Sequence, residues 1–319
     1  MTNINPAEIR VVVLAGGISD EREISQDSAR AIASALAEAG FEHIEVLDPA
    51  EKGFVGKLVE GGYDVVVPAL HGRGGEDGTI QGLLEYIGVP YVGCGVASSA
   101  LAADKDVSKI MYEHAGIPLA PGVVLEKGKG YDVEGIVSAI GERCFVKPAV
   151  NGSSYGVVPV SSKDELAAAI DGAFELDDKV LVEKWVVGTE ITVGVLGNDD
   201  PKALPVVEID PGEGAEFYDL KVKYEPADKH HIIPARLSDE DYARAQELAV
   251  AAHKALGCSG LSRSDFIVSP EDGPIILETN TVPGMTETSL YPDAARHAGI
   301  PFPELCCKFI ELALERANR

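Results

Sequence analysis

Basic residues are scarce. Only 27 Lys and Arg stand against 52 Asp and Glu among 319 residues, a formal charge of −25. Such a surface repels nucleic acid and anionic membrane, which are recognised through clustered cations, so neither is expected as a partner. Cysteine is also sparse. The five thiols, Cys94, Cys144, Cys258, Cys306 and Cys307, are odd in number and form no C-x-x-C pair, which removes a disulfide framework and a thiolate zinc site. Reduced thiols of this kind point to the cytoplasm. No apolar run approaches the ~18 residues of a spanning helix, and the first fifteen residues carry Glu8 and Arg10 instead of an export signal. Internal repeats and low-complexity tracts are absent as well. So is G-x-G-x-x-G: the first βα turn reads Gly16-Gly17-Ile18-Ser19-Asp20-Glu21, which argues against a nicotinamide dinucleotide site.

What is present is a globular composition, 45% hydrophobic and 25% charged, in a chain long enough for two domains or three small ones. The first hundred residues alternate period-2 and period-3.6 apolar patterns, the signature of a parallel α/β unit. Strands are expected at 9–15, 43–47 and 64–70, with helices at 25–39, near 51–60 and at 79–87. A single helix is expected over 98–114, closed by Gly116-Ile117-Pro118. The central stretch reads as α+β, with strands near 123 and at 144–147, 157–160 and 180–185, and a helix at 163–174. The last third reads as strands at 190–196 and 203–209, a polar loop from Asp210 to Pro234, a helix at 238–256, a hairpin at 261–279 and two terminal helices. Domain limits of 1–97, 98–184 and 185–319 follow.

The hairpin carries the clearest chemistry. Its turn, Ser269 to Pro274, allows a register that sets Phe266 against Leu277, Val268 against Ile275 and Asp265 against Glu278. Period-2 alternation then gathers Arg263, Asp265, Glu278 and Asn280 on one face. Two opposed carboxylates repel unless a cation lies between them, and hard oxygen donors suit Mg²⁺ or Mn²⁺ bridging to phosphate. A solvated hairpin face would carry the same residues, and Ile267 and Ile276 share that side.

Three other segments invite ligands more weakly. Asn151 to Gly156, after Lys147-Pro148, is a glycine-hinged turn whose amides and serines suit phosphate oxygens. His71 to Gly78 opens a helix at Thr79, where free amides favour a carboxylate or phosphate. Glu21 and Glu23 are placed to bind an ammonium group or simply to complement a helix dipole. Lys105, Glu183, Lys184 and Glu190 are, one by one, ordinary charged residues.

Taken in order, these segments resemble the D-alanine–D-alanine ligases of the ATP-grasp superfamily, over about Val11 to Leu312. The resemblance lies in Glu21 to Ser25, Ala69 to Gly82, Val146-Lys147-Pro148 with Gly152 to Ser154, Phe217 to Asp219 with Lys223-Tyr224, and Glu278 to Thr286. It implies an α/β fold in which an N-terminal parallel-sheet α/β domain precedes two α+β subdomains of an ATP-grasp fold. It implies ATP-dependent joining of two D-alanines through a D-alanyl phosphate, for peptidoglycan synthesis, by a homodimer. D-lactate or D-serine is the alternative acceptor, and Tyr224 goes with an amine. By the same resemblance Lys105 and Lys147 contact ATP phosphates; Glu183, Lys184 and Val186 frame adenine; Glu190 binds ribose. Asp265, Glu278 and Asn280 hold two Mg²⁺ (or Mn²⁺) ions. Glu21 takes the first ammonium and joins Ser153 and Tyr224 in a hydrogen-bonded set, and His71 lies near the first carboxylate. Arg263 and the Gly284 amide stabilise the oxyanion, Ser289 with Lys223 binds the second carboxylate, and the loop from Asp210 to Pro234 closes as a lid.

Overall fold

The structure is a computed structural model that describes residues 4–150, 156–210, 212, 230–286 and 288–318. Its first layer is a parallel sheet in the order β2-β1-β3, with β1 (Arg10–Leu14) between β2 (His43–Leu47) and β3 (Val65–Pro68). Val11 to Leu14 are fully buried, because a central parallel strand is covered on both faces and needs a continuous apolar run. Helices α1 (Arg22–Glu38), α2 (Phe54–Glu60) and α3 (Thr79–Ile87) complete the unit. Gly40, at φ +93°, follows the end of α1 in the left-handed region, the conformation expected of a residue just past a helix C-terminus.

The helix expected over 98–114 is two helices, α4 (Val96–Ala103) and α5 (Lys105–His114). Asp104 breaks it. Its backbone is extended at φ −97°, ψ 104°, and its carboxylate accepts from the amides of Asp106 at 3.1 Å and Val107 at 3.3 Å, the work of an N-cap. Ala102 and Tyr112 from these helices pack into the core of the C-terminal sheet with Ile191, Phe266 and Ile276, although they precede the central sheet in sequence.

The central sheet is antiparallel, in the order β4-β7-β5-β6, from β4 (Gly122–Glu126), β5 (Cys144–Pro148), β6 (Val158–Val160) and β7 (Lys179–Lys184). Two helices cover it, α6 (Val133–Ile140), absent from the expected elements, and α7 (Lys163–Phe174), burying Ile136, Leu166 and Ile170 against Val146 and Val182. The third sheet runs β11-β10-β8-β12-β13, with β9 on β8. Its members are β8 (Thr189–Leu196), β9 (Lys202–Ala203), β10 (Val207–Ile209), β11 (His231–Ile232), β12 (Leu261–Ser269) and β13 (Gly273–Asn280). The single strand expected at 203–209 is thus split; Pro205 lies in the gap and has no N–H for a ladder. The end of the expected polar loop is also ordered as β11, paired with β10.

Helix α8 (Asp239–Ala255) lays Ala245, Ala249 and Ala252 into the second core, its start capped by Ser238. The last helices, α9 (Leu290–His297) and α10 (Phe302–Ala317), bring Tyr291, Phe309 and Ile310 into the same core as Val11, Val13 and Val65. The chain's end therefore binds the first sheet to the third. No described helix is long and apolar enough to cross a membrane.

Candidate active site

The β12–β13 hairpin sets Arg263 opposite Asn280 and Asp265 opposite Glu278, the pairing its sequence suggests. Beyond Asp265 the register shifts. Phe266 faces Ile276 and Val268 faces Pro274, so the expected partners Leu277 and Ile275 are displaced by one. Leu277 is an extra residue on β13, a bulge. The shift lets Phe266 and Ile276 both be fully buried while the charged pairs keep their own register. On the opposite face Thr279 accepts from the Tyr112 hydroxyl at 2.8 Å and meets the Ser264 hydroxyl at 2.9 Å. This buried contact anchors α5 to the hairpin.

Each carboxylate of the pair has a cation. Arg263 grips Asp265 with Nε at 3.0 Å and Nη2 at 2.8 Å, a forked charge-assisted contact, and the Thr192 hydroxyl donates to the same carboxylate. Lys105 Nζ lies 3.1 Å from Glu278 Oε2. Asn280 Oδ1 accepts from the Val282 amide at 2.8 Å. Among the described residues no three His, Cys, Asp or Glu side chains are grouped to hold a metal ion. Two carboxylates and an amide oxygen nevertheless fit Mg²⁺, which keeps several waters and shares its shell with phosphate. Arg263 and Lys105 rest on carboxylate oxygens that such an ion would use.

A second charged group lies on the central sheet. Glu183 on β7 is ion-paired at one oxygen with Lys147 on β5 and at the other with Lys109 on α5. Burial raises the pKa of Glu183, but the charges of Lys147 and Lys109 overcome it and hold the carboxyl below its usual range. Lys109 escaped the sequence reading; its only signal there is a four-residue spacing from Lys105, which puts both on one helix face. Next to Glu183, Lys184 is exposed, and Trp185 stacks on Phe145 at 4.5 Å with the Arg143 guanidinium 4.4 Å over its ring. Val186 is half-buried, and Glu190 on β8 pairs in register with Ile267.

The third group joins the first domain to the turn after β13. His71 is buried, with Nδ1 3.2 Å from Glu76 Oε1 and Nε2 3.2 Å from the Ser28 hydroxyl, which also receives the Met285 amide at 3.4 Å. Burial disfavours the imidazolium, yet the hydrogen bond and charge of Glu76, helped by Glu21, lift the His71 pKa above its ordinary value. Glu21, just before α1, approaches Gly72 so closely that a Cβ there would lie 2.6 Å from its Oε2; Gly72 is also at φ +67°. Gly284 faces the Ser289 hydroxyl, which accepts from the Thr286 amide at 3.1 Å. Ser153, Lys223 and Tyr224, with Phe217 to Asp219 and most of the proposed lid, lie outside the described residues.

Comparison with known proteins gives the family of the chain. The family model described as the D-ala D-ala ligase C-terminus matches residues 111–311, and that of the N-terminus matches residues 49–94. The chain is 48% identical to the D-alanine–D-alanine ligase of Syntrophobacter fumaroxidans over 310 residues, spanning 97% of this chain and 98% of that protein. It is 45% identical to that of Halalkalibacterium halodurans, across 97% of this chain and all of the relative. The crystal structure of the Bacillus anthracis ligase complexed with ATP superposes with a TM-score of 0.81 at 32% identity, covering 97% of this chain and 98% of that one. The Coxiella burnetii ligase gives 0.82 at 30% identity, with 98% and 96% covered. The three-sheet fold is thus that of a known group, and the chain belongs to the D-alanine–D-alanine ligase family.

Proposed function

We propose that this chain joins two D-alanines into D-alanyl-D-alanine at the expense of ATP, releasing ADP and phosphate. The observation that carries the reading is the Asp265–Glu278 pair, held in register and bracketed by Arg263 and Lys105. Such a set neutralises the charge of a transferring phosphoryl group. In the first step the γ-phosphoryl passes to the carboxylate of one D-alanine, whose ammonium Glu21 receives and whose carboxylate His71 attends. In the second step the amine of the other D-alanine attacks the acyl phosphate carbon, the C–N bond forms, and phosphate leaves. Arg263 and the Gly284 amide face the oxyanion, and Ser289 with Lys223 binds the acceptor's carboxylate. Ser153 and Tyr224 join Glu21 in aligning donor and acceptor.

Lys105 and Lys147 serve the ATP phosphates, Glu183 to Val186 the adenine, and Glu190 the ribose. Asp265, Glu278 and Asn280 would hold two Mg²⁺ or Mn²⁺ ions, which supply positive charge to the phosphates when bound. The enzyme acts in the cytoplasm as a homodimer, and its product is a peptidoglycan precursor. The test is nucleotide release with ATP and Mg²⁺ against D-alanine, D-serine and D-lactate. D-Alanine should give ADP and dipeptide; AMP release, or ADP formation indifferent to D-alanine, would sink the reading.

A further inference from the structure

Helix α5 presents Lys105 and Lys109 on one face, and each reaches a different sheet. Lys105 meets Glu278 on β13, and Lys109 meets Oε1 of Glu183 on β7. Lys147 takes Oε2 of the same carboxylate. The side chains of Lys109, Lys147 and Glu183 are only 12, 11 and 4% exposed, so one buried carboxylate holds two ammonium groups. Among the described residues Lys105, Lys109 and Lys147 face Glu183 and Glu278, three positive charges against two negative ones. A buried excess of that sign is costly until an anion enters.

On the ligase reading above, on which this inference rests, the anion is the triphosphate and Lys147 turns toward it. Glu183 then keeps a single cation. Lys109 stands on a helix pinned to the hairpin by Tyr112, whose hydroxyl donates to Thr279 at 2.8 Å. It is placed to stay. We propose that Lys109 is the resident counter-ion of Glu183, a positioning residue that keeps this carboxylate charged and in place while Lys147 serves the phosphates, and that the pair thereby selects a 6-amino purine. The chemistry is one of donors and acceptors. An ionised carboxylate only accepts, so it pairs with the amino group of adenine and opposes the 6-oxo group of hypoxanthine.

The test titrates the full chain with ATP and with ITP, read by quenching of Trp185, its single tryptophan, two residues from Glu183. Steady-state release of ADP and IDP is measured in parallel. The unmodified chain should favour ATP by about thirtyfold, and Lys109→Met should reduce that preference to about threefold or less by weakening ATP alone. Lys109→Arg should restore most of it. Adding Lys109→Met to Glu183→Gln should cost nothing further, since Lys109 acts through Glu183. A preference unchanged in Lys109→Met, or equal weakening of ATP and ITP, would overturn the proposal. So would an unmodified chain that binds ATP and ITP alike, and in that case D-alanine-dependent ADP release would leave the ligase reading standing. Base selectivity that depends on Lys109 in a chain without such release would uphold the inference and sink the ligase reading. Should Lys109→Met not fold, Lys109→Gln enters the same titration.

Discussion

Two carboxylates face helix α5, and their surroundings differ. Glu183 is 4% exposed with a lysine on each oxygen, whereas the Glu278 side chain is 33% exposed and has Lys105 at 3.1 Å. The first is closed by the protein's own cations. The second is open on one side and stands opposite another carboxylate, so its present cation is exchangeable for a ligand. Burial makes an ionic contact expensive to break, and exposure makes it replaceable. Stability should therefore depend far more on Glu183 than on Glu278.

The largest effect expected is on turnover. Glu278→Gln should lower D-alanine-dependent ADP release by roughly a thousandfold. Its melting temperature should stay within about 3 °C, because relief of repulsion against Asp265 offsets the lost contact with Lys105. A melt that collapses in this variant would show both carboxylates to be structural and erase the contrast. Glu183→Gln should do the reverse to stability. It leaves Lys109 and Lys147 buried without their counter-charge, a loss of roughly 3–5 kcal/mol that lowers the melting temperature by on the order of 10 °C. Calorimetry decides it, and a melting temperature equal to that of Glu278→Gln would contradict the assignment of Glu183 as the closed site.

This contrast was only half legible in the sequence. Asp265 opposite Glu278 follows from strand period and turn position, and the hairpin shows that pairing. The bulge at Leu277 was not readable, because it answers a tertiary demand that Phe266 and Ile276 both be buried. The break at Asp104 was hidden because aspartate is ordinary on a helix surface; only the structure shows its carboxylate on the amides of Asp106 and Val107. Helix α6, by contrast, left a readable sign in Asp132, which caps Glu134, and Gly141 at its end. Lys109 gave the weakest signal of all. A lysine reads as surface until the sheet that buries it is known.

The same distinction, burial with and without an opposite charge, separates two histidines and gives the smaller effects. His253 on α8 packs in the second core with Nδ1 2.8 Å from the Ser262 hydroxyl. Burial first, then the charge of Lys254, lowers its pKa from 6.5 to about 4. The folded chain refuses a proton that the unfolded chain accepts, so stability is lost as pH falls from 6.5 toward about 4. The full loss is roughly 3 kcal/mol from this one group. Denaturation of the unmodified chain and of His253→Gln across that window checks it: only the former should show the added slope, and parallel slopes would mean that His253 does not refuse the proton.

His71 should show the opposite sign and the smallest effect. Its pKa is raised because Glu76 and Glu21 outweigh burial, so the folded chain holds the proton more firmly than the unfolded chain. Its contribution is complete below the ordinary value of 6.5 and is lost as pH rises through the higher folded value. The melting temperature of the unmodified chain should therefore decline on that alkaline side, and His71→Gln should flatten the decline. If the imidazolium attends the D-alanine carboxylate, the KM for D-alanine should rise over the same window, with kcat changing less. A KM that rises equally in His71→Gln would assign the titration to another group, while an unchanged melting slope would show that Glu76 does not hold the proton on His71.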